Sequence, residues 1–325
     1  MSHEITVVPG DDTGPEITQA VRGVLDGLGL DLQWDVQDAS DNGSHASLIE
    51  SAKRTKTVLM AFQRGRRDEG VLPPIVTLRK ALDVFANVRP LHNLPGVPSR
   101  HENVDLVVVR ETAEGVYANL EHESIPGVFE SFKVTTQAHC ERIARFAFEY
   151  ARRNGRKRVT VVHKANIMKK SDGMFLRTGL AMAEQFPDIA VDECIVDALC
   201  MKLVVDPSRF DVLLCGNLFG DIVADIAAGL AGGPANCPSI NYAPGGIGLF
   251  ASPHGDGPDA VGTGRANPMS LLLPAVSMLR HLNEDAAADR LMSAITATIS
   301  EGVLPIALGG EASCDAFAGA VAGRI

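Results

Sequence analysis

Residues 210–230 read FDVLLCGNLFGDIVADIAAGL. The first seven residues form an apolar run typical of a buried strand, and the small and apolar residues that follow Gly216 are typical of a buried helix. A buried strand followed at once by a helix predicts the strand–helix unit of a parallel sheet. The helix carries Asp221 and Asp225, which lie four residues apart, share one face and should repel each other.

The same alternation extends through the rest of the chain. An amphipathic helix is predicted after Pro15 and another at 138–155, a half-exposed strand at 130–136, and the C-terminal part reads mainly helical. Further buried strands are expected at 4–10, 57–62, 104–111 and 158–164. Alternating strands and helices predict an α/β fold with a largely parallel sheet.

Length and composition limit the function classes. A chain of 325 residues predicts about two domains or one large α/β unit, and 46% hydrophobic residues suffice for a large core. A net charge of −10 argues against a nucleic-acid partner but allows a small anionic substrate held by local arginines. No apolar run is long enough for a membrane span, and the chain opens without a signal-peptide pattern, so we expect a cytoplasmic protein without a membrane partner.

The six cysteines form no Cys-x-x-Cys pair. Several lie in apolar runs, so buried free thiols in a reducing compartment are favoured over disulfides or a zinc site.

Polar side chains follow the predicted strands. They are Arg110 and Glu111, His163 and Lys164, and Asn217 and Asp221. Because ligands of open α/β sheets bind beyond the carboxyl ends of strands, these residues predict one cleft.

The aspartate pair has two interpretations. Either the helix N-terminus stabilises Asp221 while Asp225 is merely exposed, or both bind a hard divalent cation such as Mg²⁺ or Mn²⁺. A third carboxylate, Asp197, lies in the apolar segment CIVDALCM at 194–201.

Four segments, in this order along the chain, resemble one enzyme family. They are LRKALDVFANVRP, VVVRETAEGVYANLEH, VHKANIMKKSDGMF and IVDALCMKLVVDPSRFDVLLCGNLFGDIVADIAAGLAGG. They resemble the metal-dependent β-decarboxylating dehydrogenases, which act on isocitrate, homoisocitrate, isopropylmalate or tartrate/malate, and look most like the NAD-type isocitrate and homoisocitrate branch.

The resemblance implies a doubly wound, two-domain α/β fold that is not a Rossmann fold. A large cofactor-binding domain would comprise residues 1–90 and 239–325, and a small domain with the dimer arm and metal site would comprise residues 91–238. It also implies a homodimer in which each active site is completed by the partner.

The implied reaction oxidises a 2-hydroxy acid by hydride transfer, releases CO₂ from C3 and protonates the resulting enol. Asp221 and Asp225 match the family's Mg²⁺ or Mn²⁺ ligands of one subunit, and Asp197 matches the ligand from the other. Tyr117 matches the general acid. Lys164 matches the group that helps remove the hydroxyl proton, which requires a pKa well below about 10.4.

The cofactor site is implied by the same resemblance. No G-x-G-x-x-G follows the first strand, but SPHGDGPDAVGTGRANP at 252–268 resembles the family's adenosine-binding loop. The matching residues are His254, Gly255, Asp259 and Asn267, together with Asn166 of the HKAN motif. A carboxylate at 259 would accept hydrogen bonds from both ribose hydroxyls and repel a 2′-phosphate, which favours NAD, while Arg265 leaves NADP open.

Three arginines match the family's carboxylate clamps: Arg79, Arg89 and Arg110. The planar guanidinium suits that task, although a surface ion pair is an alternative for Arg79.

The C3 substituent is the open question. Pro73 and Ile75 replace the serine and asparagine of isocitrate enzymes, and Ile75 with Val76 would suit an alkyl group. Just upstream, Arg64, Arg66 and Arg67 would suit an anion such as a carboxylate or phosphonate, unless that loop is simply solvated. We expect an anionic substituent read by this loop.

Two other functions compete with this one. A non-catalytic regulatory subunit would be expected to lose the tyrosine, the lysine or a metal aspartate, and none is lost. A dehydrogenase that does not decarboxylate would differ in releasing no CO₂.

Overall fold

The computed structural model describes residues 2–39, 45–64, 72–255 and 257–325. The chain divides into two compact units. Unit 1 comprises Met1–Leu82, Asn93–Arg100 and Gly232–Ile325, and unit 2 comprises Asp83–His92 and His101–Ala231. These borders differ from the expected ones chiefly because Asp83–His92 contains a strand that pairs within unit 2.

The helices and strands are numbered along the whole chain. The strands are β1 Ser2–Val8, β2 Asp31–Val36, β3 Thr57–Met60, β4 Ala86–His92, β5 Asp105–Glu111, β6 Gly115–Ile125, β7 Val128–Val134, β8 Arg158–His163, β9 Ala190–Ile195, β10 Val212–Cys215, β11 Ser239–Ala243 and β12 Ile247–Ala251. The helices are α1 Gly14–Asp26, α2 Ala46–Thr55, α3 Pro74–Ala81, α4 Gln137–Arg153, α5 Ser171–Met182, α6 Val196–Val205, α7 Asn217–Leu230, α8 Met269–His281, α9 Asp285–Ser300 and α10 Cys314–Ala322.

Within unit 1 the strand order is β2-β1-β3-β12-β11. The first four strands run parallel, and β11 pairs antiparallel with β12. Helix α8 is buried along almost its whole length, so it forms much of the core of this unit.

Within unit 2 the strand order is β4-β5-β10-β8-β9. Strands β5, β10, β8 and β9 run parallel, and β4 pairs antiparallel with β5. Strands β5 and β10 are almost wholly buried, as expected for parallel strands covered on both faces. Strands β6 and β7 form a separate, mostly exposed two-stranded hairpin.

The α/β class and the predicted strands and helices are confirmed, with shifts of a few residues at their ends. One detail is wrong: α7 is not buried on all sides, because Leu218 and Ile222 are exposed. Cys200 is half-buried, the other five cysteines are buried, and all six are free, as expected. Across the described ranges, every helix is too short or too polar to cross a bilayer.

Candidate active site

Helix α7 packs closely on the end of strand β5. It starts directly after β10, with Gly216 as its N-cap residue. A Cβ atom on Gly220 would lie 2.7 Å from both Cβ and Cγ of Arg110. Glycine at this position therefore lets the first turn of α7 approach Arg110 closely.

Arg110 organises a group that we call the tyrosine cluster, consisting of Arg110, Tyr117, Asn217 and Asp221. Its Nε and Nη2 donate hydrogen bonds to Asn217 Oδ1 at 3.0 and 2.8 Å. Its Nη1 donates to Asp221 Oδ1, and the Tyr117 hydroxyl donates to the other oxygen, Oδ2. The guanidinium carbon lies 5.1 Å from the centroid of the Tyr117 ring. The arginine is buried, whereas Tyr117 is exposed.

The environment of Tyr117 favours its protonated form. Desolvation raises the pKa of this phenol, and its hydrogen bond to the Asp221 carboxylate raises it further. The hydroxyl therefore keeps its proton at neutral pH, which is the state that a general acid needs.

Asp225 lies one turn after Asp221 on the same face of α7. Its side chain is 77% exposed, and its Oδ1 lies 3.9 Å from Nη2 of the buried Arg89. The predicted arginine clamps Arg89 and Arg110 therefore both lie beside the aspartate pair.

A second group, which we call the lysine cluster, consists of Lys164 and Asp197. Lys164 follows β8, and its Nζ donates to Asp197 Oδ1 in the first turn of α6. This hydrogen bond is the main reason that the pKa of Asp197 is lowered. Within one chain, Asp197 is thus bound by the predicted catalytic lysine.

The aspartate pair fits part of a divalent-cation site. It offers hard oxygen donors on one exposed helix face, which suits Mg²⁺ or Mn²⁺. Within the residues that the structure describes, no group of three or more His, Cys, Asp or Glu side chains converges to hold a metal ion. A single chain therefore supplies two of the three predicted ligands at one place, and Asp197 lies elsewhere.

The predicted cofactor residues differ in what they contact. Asp259 is exposed on a short turn at Pro258–Ala260, so its carboxylate is accessible to ribose hydroxyls. A Cβ atom on Gly255 would lie 2.5 Å from Phe62 Cδ1, so glycine is needed for the loop to pass that ring. Asn267 is buried, and its Oδ1 accepts the Met269 N–H at 3.2 Å, so that oxygen stabilises the start of α8.

The other two cofactor residues have distinct surroundings. The carbonyl oxygen of His254 accepts a hydrogen bond from Ser252 Oγ at 2.7 Å. Asn166 belongs to unit 2, where it is exposed on the loop after β8.

Arg79 and Arg64 lie in unit 1. Arg79 Nε donates to Asn241 Oδ1 at 3.1 Å, and Ile75 lies one turn before Arg79 on the same face of α3. Arg64 Nη2 donates to Asp12 Oδ2 at 2.9 Å, and its side chain is 55% exposed. Arg66 and Arg67 lie outside the described residues.

Sequence reasoning missed the supporting residues. Glu114 accepts hydrogen bonds from Thr136, and its carbonyl accepts one from Asn217 Nδ2 at 2.8 Å. Asp172 accepts the Lys164 N–H at 2.7 Å. Both acids occur within the quoted motifs, Glu114 between small residues and Asp172 after two lysines and a serine, so position in the motif was the available signal.

Lys164 lies directly after β8, and the Asp221–Asp225 pair lies on the helix that follows β10, with Tyr117 hydrogen-bonded to Asp221. Polar side chains grouped beyond the ends of parallel strands define the class as an α/β enzyme, here of two compact units. Residues 4–321 match the family model described as Isocitrate/isopropylmalate dehydrogenase. The chain therefore belongs to the isocitrate/isopropylmalate dehydrogenase family.

The relatives include several kinds of protein. The chain is 43% identical to a chloroplastic 3-isopropylmalate dehydrogenase of Solanum tuberosum, over 92% of this chain and 86% of the relative. It is 41% identical to a mitochondrial catalytic subunit of NAD isocitrate dehydrogenase of Arabidopsis thaliana, over 97% and 87%. It is 42% identical to a mitochondrial regulatory subunit of NAD isocitrate dehydrogenase of Dictyostelium discoideum, over 98% and 89%.

Among solved structures, isocitrate dehydrogenase from Methylococcus capsulatus is similar at 38% identity and a TM-score of 0.92, covering 99% of both chains.

Proposed function

We propose that this protein catalyses the NAD-dependent oxidative decarboxylation of a 3-substituted malate. The tyrosine cluster carries the proposal, because it joins an acid, a substrate-clamp arginine and a predicted metal ligand through direct hydrogen bonds. Family membership supports the reaction class, since the relatives named above include isocitrate and isopropylmalate dehydrogenases.

Each side chain of the site has a defined task in this reaction. Lys164 would accept the C2 hydroxyl proton, and NAD, when bound, would supply the acceptor for the C2 hydride. The bond from C3 to its carboxylate then breaks, CO₂ leaves, and the electron pair forms an enolate. Tyr117 donates its proton to C3, which restores a tetrahedral carbon.

Arginines hold the substrate during these steps. Arg110 and Arg89 are buried, and a buried guanidinium binds a carboxylate more strongly than a solvated one does. Arg110 already donates a hydrogen bond to Asp221. A substrate carboxylate would therefore share the Arg110 guanidinium with Asp221 or displace Asp221 from it.

The chain contains candidate residues to hold a divalent cation and NAD. Asp221 and Asp225 would hold a divalent cation, with Asp197 completing the set from a partner, and Asp259 would bind the NAD ribose. A bound cation stabilises negative charge that develops on the C2 oxygen of such substrates.

We infer that the chain forms a homodimer through unit 2. Large apolar side chains are exposed on the hairpin β6–β7, on α6 and on α7. They are Leu120, Ile125, Val128, Phe129, Phe132, Met201, Val204, Val205, Leu218 and Ile222. So many exposed apolar residues on one unit are typical of a surface that is covered by a partner.

The substituent on C3 has two candidates. An anionic group, such as a carboxylate or phosphonate, is favoured by the positive charge of the Arg64–Arg67 segment. An isopropyl group is favoured by Ile75, which lies beside Arg79 on α3, and Arg64 is already paired with Asp12. We keep the anionic substrate as the proposal, because three arginines within four residues form the larger charge feature.

A substrate panel tests the function. The protein is assayed with NAD and Mn²⁺ against isocitrate, isopropylmalate and phosphonomethylmalate, with NADH and CO₂ both measured. Equimolar NADH and CO₂ from an anionic substrate would support the proposal. Isopropylmalate as the best substrate, unaffected by Arg64→Ala, Arg66→Ala or Arg67→Ala, would overturn the anionic choice.

The same assay addresses the two competing functions. NADH without CO₂ would indicate a dehydrogenase that does not decarboxylate. No turnover with any of these substrates would favour a regulatory subunit.

A further inference from the structure

Asp172 is a buried carboxylate in the first turn of α5, only 3% exposed. Its Oδ2 accepts the backbone N–H of Lys164 at 2.7 Å. Its Oδ1 accepts a hydrogen bond from Lys133 Nζ. Both oxygens of one carboxylate are therefore occupied, one by the main chain at the lysine cluster and one by a cation from β7.

Lys133 also contacts the helix of the tyrosine cluster. Its Nζ lies 5.3 Å from the centroid of the Phe219 ring, two residues before Asp221. It lies 3.8 Å from Met168 Sδ, on the loop that follows Lys164. One ammonium group from the hairpin thus touches α7, the Lys164 loop and the carboxylate that holds that loop.

The loop after β8 is short, and hydrogen bonds fix it on both sides of Lys164. His163 Nδ1 accepts the Ala165 N–H at 3.0 Å, and the Lys164 carbonyl accepts the N–H groups of Ile167 and Met168 at 3.0 and 2.9 Å. The Lys164 N–H itself bonds to Asp172. Loss of the Asp172 acceptor would release the main chain at Lys164, whose side chain contacts the substrate in the proposed reaction.

We propose that Asp172 and Lys133 are positioning residues for Lys164. Asp172 fixes the main chain of Lys164, and Lys133 fixes Asp172 while tying it to the hairpin and to α7. The proposal rests on the proposed function for the role of Lys164, but the positioning itself is measurable without substrate.

Lys133→Met removes the ammonium group at similar length, and Lys133→Arg restores a cation. Asp172→Ala removes both acceptor oxygens. Lys169→Met, at an exposed lysine of the same loop, is the matched control. We expect Lys133→Met to lower kcat by about 10–100-fold with KM changed less than about twofold, because Lys164 is displaced while the arginines that bind the substrate carboxylates are unchanged.

Three further readouts separate positioning from general damage. The kinetic isotope effect on C2-deuterated substrate should rise in Lys133→Met, since the oxidation step becomes slower, and Lys133→Arg should recover most activity. Hydrogen exchange of the Lys164 amide should accelerate in Asp172→Ala, and Lys169→Met should behave like the unaltered protein. Melting temperature and dimer fraction are measured for each variant.

The proposal is overturned if Asp172→Ala leaves exchange at Lys164 unchanged, or if Lys133→Met turns over as fast as Lys169→Met. It is also overturned if the lost activity merely follows the lost dimer fraction. If the unaltered protein makes no NADH from any 3-substituted malate, the proposed function fails, while the exchange comparison still decides the positioning role.

Discussion

Arg110 makes structural contacts in this site in addition to the substrate contact that its motif predicts. Arg110 was predicted to bind a substrate carboxylate, yet its guanidinium also binds Asn217 and Asp221 and covers the ring of Tyr117. Since Asn217 in turn binds the Glu114 carbonyl, one arginine fixes both the start of α7 and the segment that carries the acid. Substitution of Arg110 would therefore damage the geometry of the site as well as binding.

The acid and base roles give a first prediction. Tyr117→Phe removes the hydroxyl that donates to Asp221 and should slow protonation of the enol, with a loss of about 10²–10⁴-fold in overall turnover if that step is limiting. Lys164→Met should instead slow loss of the hydroxyl proton. Stopped-flow measurement of NADH formation, compared with proton uptake at C3, distinguishes the two. Full overall activity in both variants would show that neither residue acts in proton transfer.

Burial of Glu111 gives a second prediction, on stability. Desolvation raises the pKa of this carboxyl above its ordinary value of 4.5, against two backbone hydrogen bonds that lower it. A raised pKa means that the folded state holds its proton more tightly. The stabilisation is therefore complete below the unfolded pKa and is lost as pH rises through the folded pKa.

Glu111→Gln removes this titration. The stability of the unaltered protein relative to Glu111→Gln should therefore decrease between about pH 4 and about pH 7, at about 1.4 kcal/mol per unit of pKa elevation. Urea unfolding at both pH values measures the free energy of unfolding of each protein, with Glu149→Gln on the exposed face of α4 as control. If the unaltered protein instead became more stable relative to Glu111→Gln as pH rises, the raised pKa would be contradicted.

At the scale of elements, the sequence best predicted the strands and helices that have a clear local pattern of apolar residues. Strands β8 and β10 are compact apolar runs, and α4 has a strong apolar face with Thr136 as its N-cap. Strand β9 was missed because three of its six residues are exposed and two of those are acidic. Strand β4 was missed because it follows a helical pattern closely and depends on pairing with β5.

Hairpin β6–β7 exposes aromatic side chains that an isolated chain would leave in contact with water. Phe129 and Phe132 are 68% and 53% exposed, although burial of each ring would be favourable. Phe132 stacks with His122 of the neighbouring strand at 5.5 Å between ring centroids, and it still faces solvent. These rings are best explained by a partner surface.

We predict that Phe129→Ser raises the dimer dissociation constant by about tenfold or more, since the residue occurs twice in a symmetric interface. Sedimentation velocity over a dilution series measures the constant. Val36→Ser, at an exposed apolar residue of β2 in unit 1, is the control. An equal effect of both substitutions would argue against the hairpin as the dimer contact.

At the scale of the whole molecule, the motifs predicted a set of site residues, but the sequence could not show how one chain groups them. The structure holds Tyr117 and Asp221 in one cluster and Lys164 and Asp197 in another. That grouping depends on how α6 and α7 pack beyond the strand ends, which no local pattern encodes. A cation that needs Asp197 as well as the α7 pair would then take the tyrosine cluster of one chain and the lysine cluster of another.

Mixed dimers test this division directly. Asp225→Asn damages only the tyrosine cluster side, and Asp197→Asn damages only the lysine cluster, so each variant alone should be nearly inactive. A mixed dimer has one site that combines both substitutions and one site with neither. Random exchange of equal amounts makes half of the dimers mixed, so activity should recover to about a quarter of the unaltered value.

The control pair is Asp225→Asn with Tyr117→Phe. Both substitutions fall on the tyrosine cluster side, so every site in their mixed dimer carries one of them and activity should not recover. Lys164→Met in place of Asp197→Asn should recover activity with Asp225→Asn, because Lys164 and Asp197 belong to the same cluster. If each site were built within one chain, no pair would recover, since every chain in every dimer would carry a damaged site.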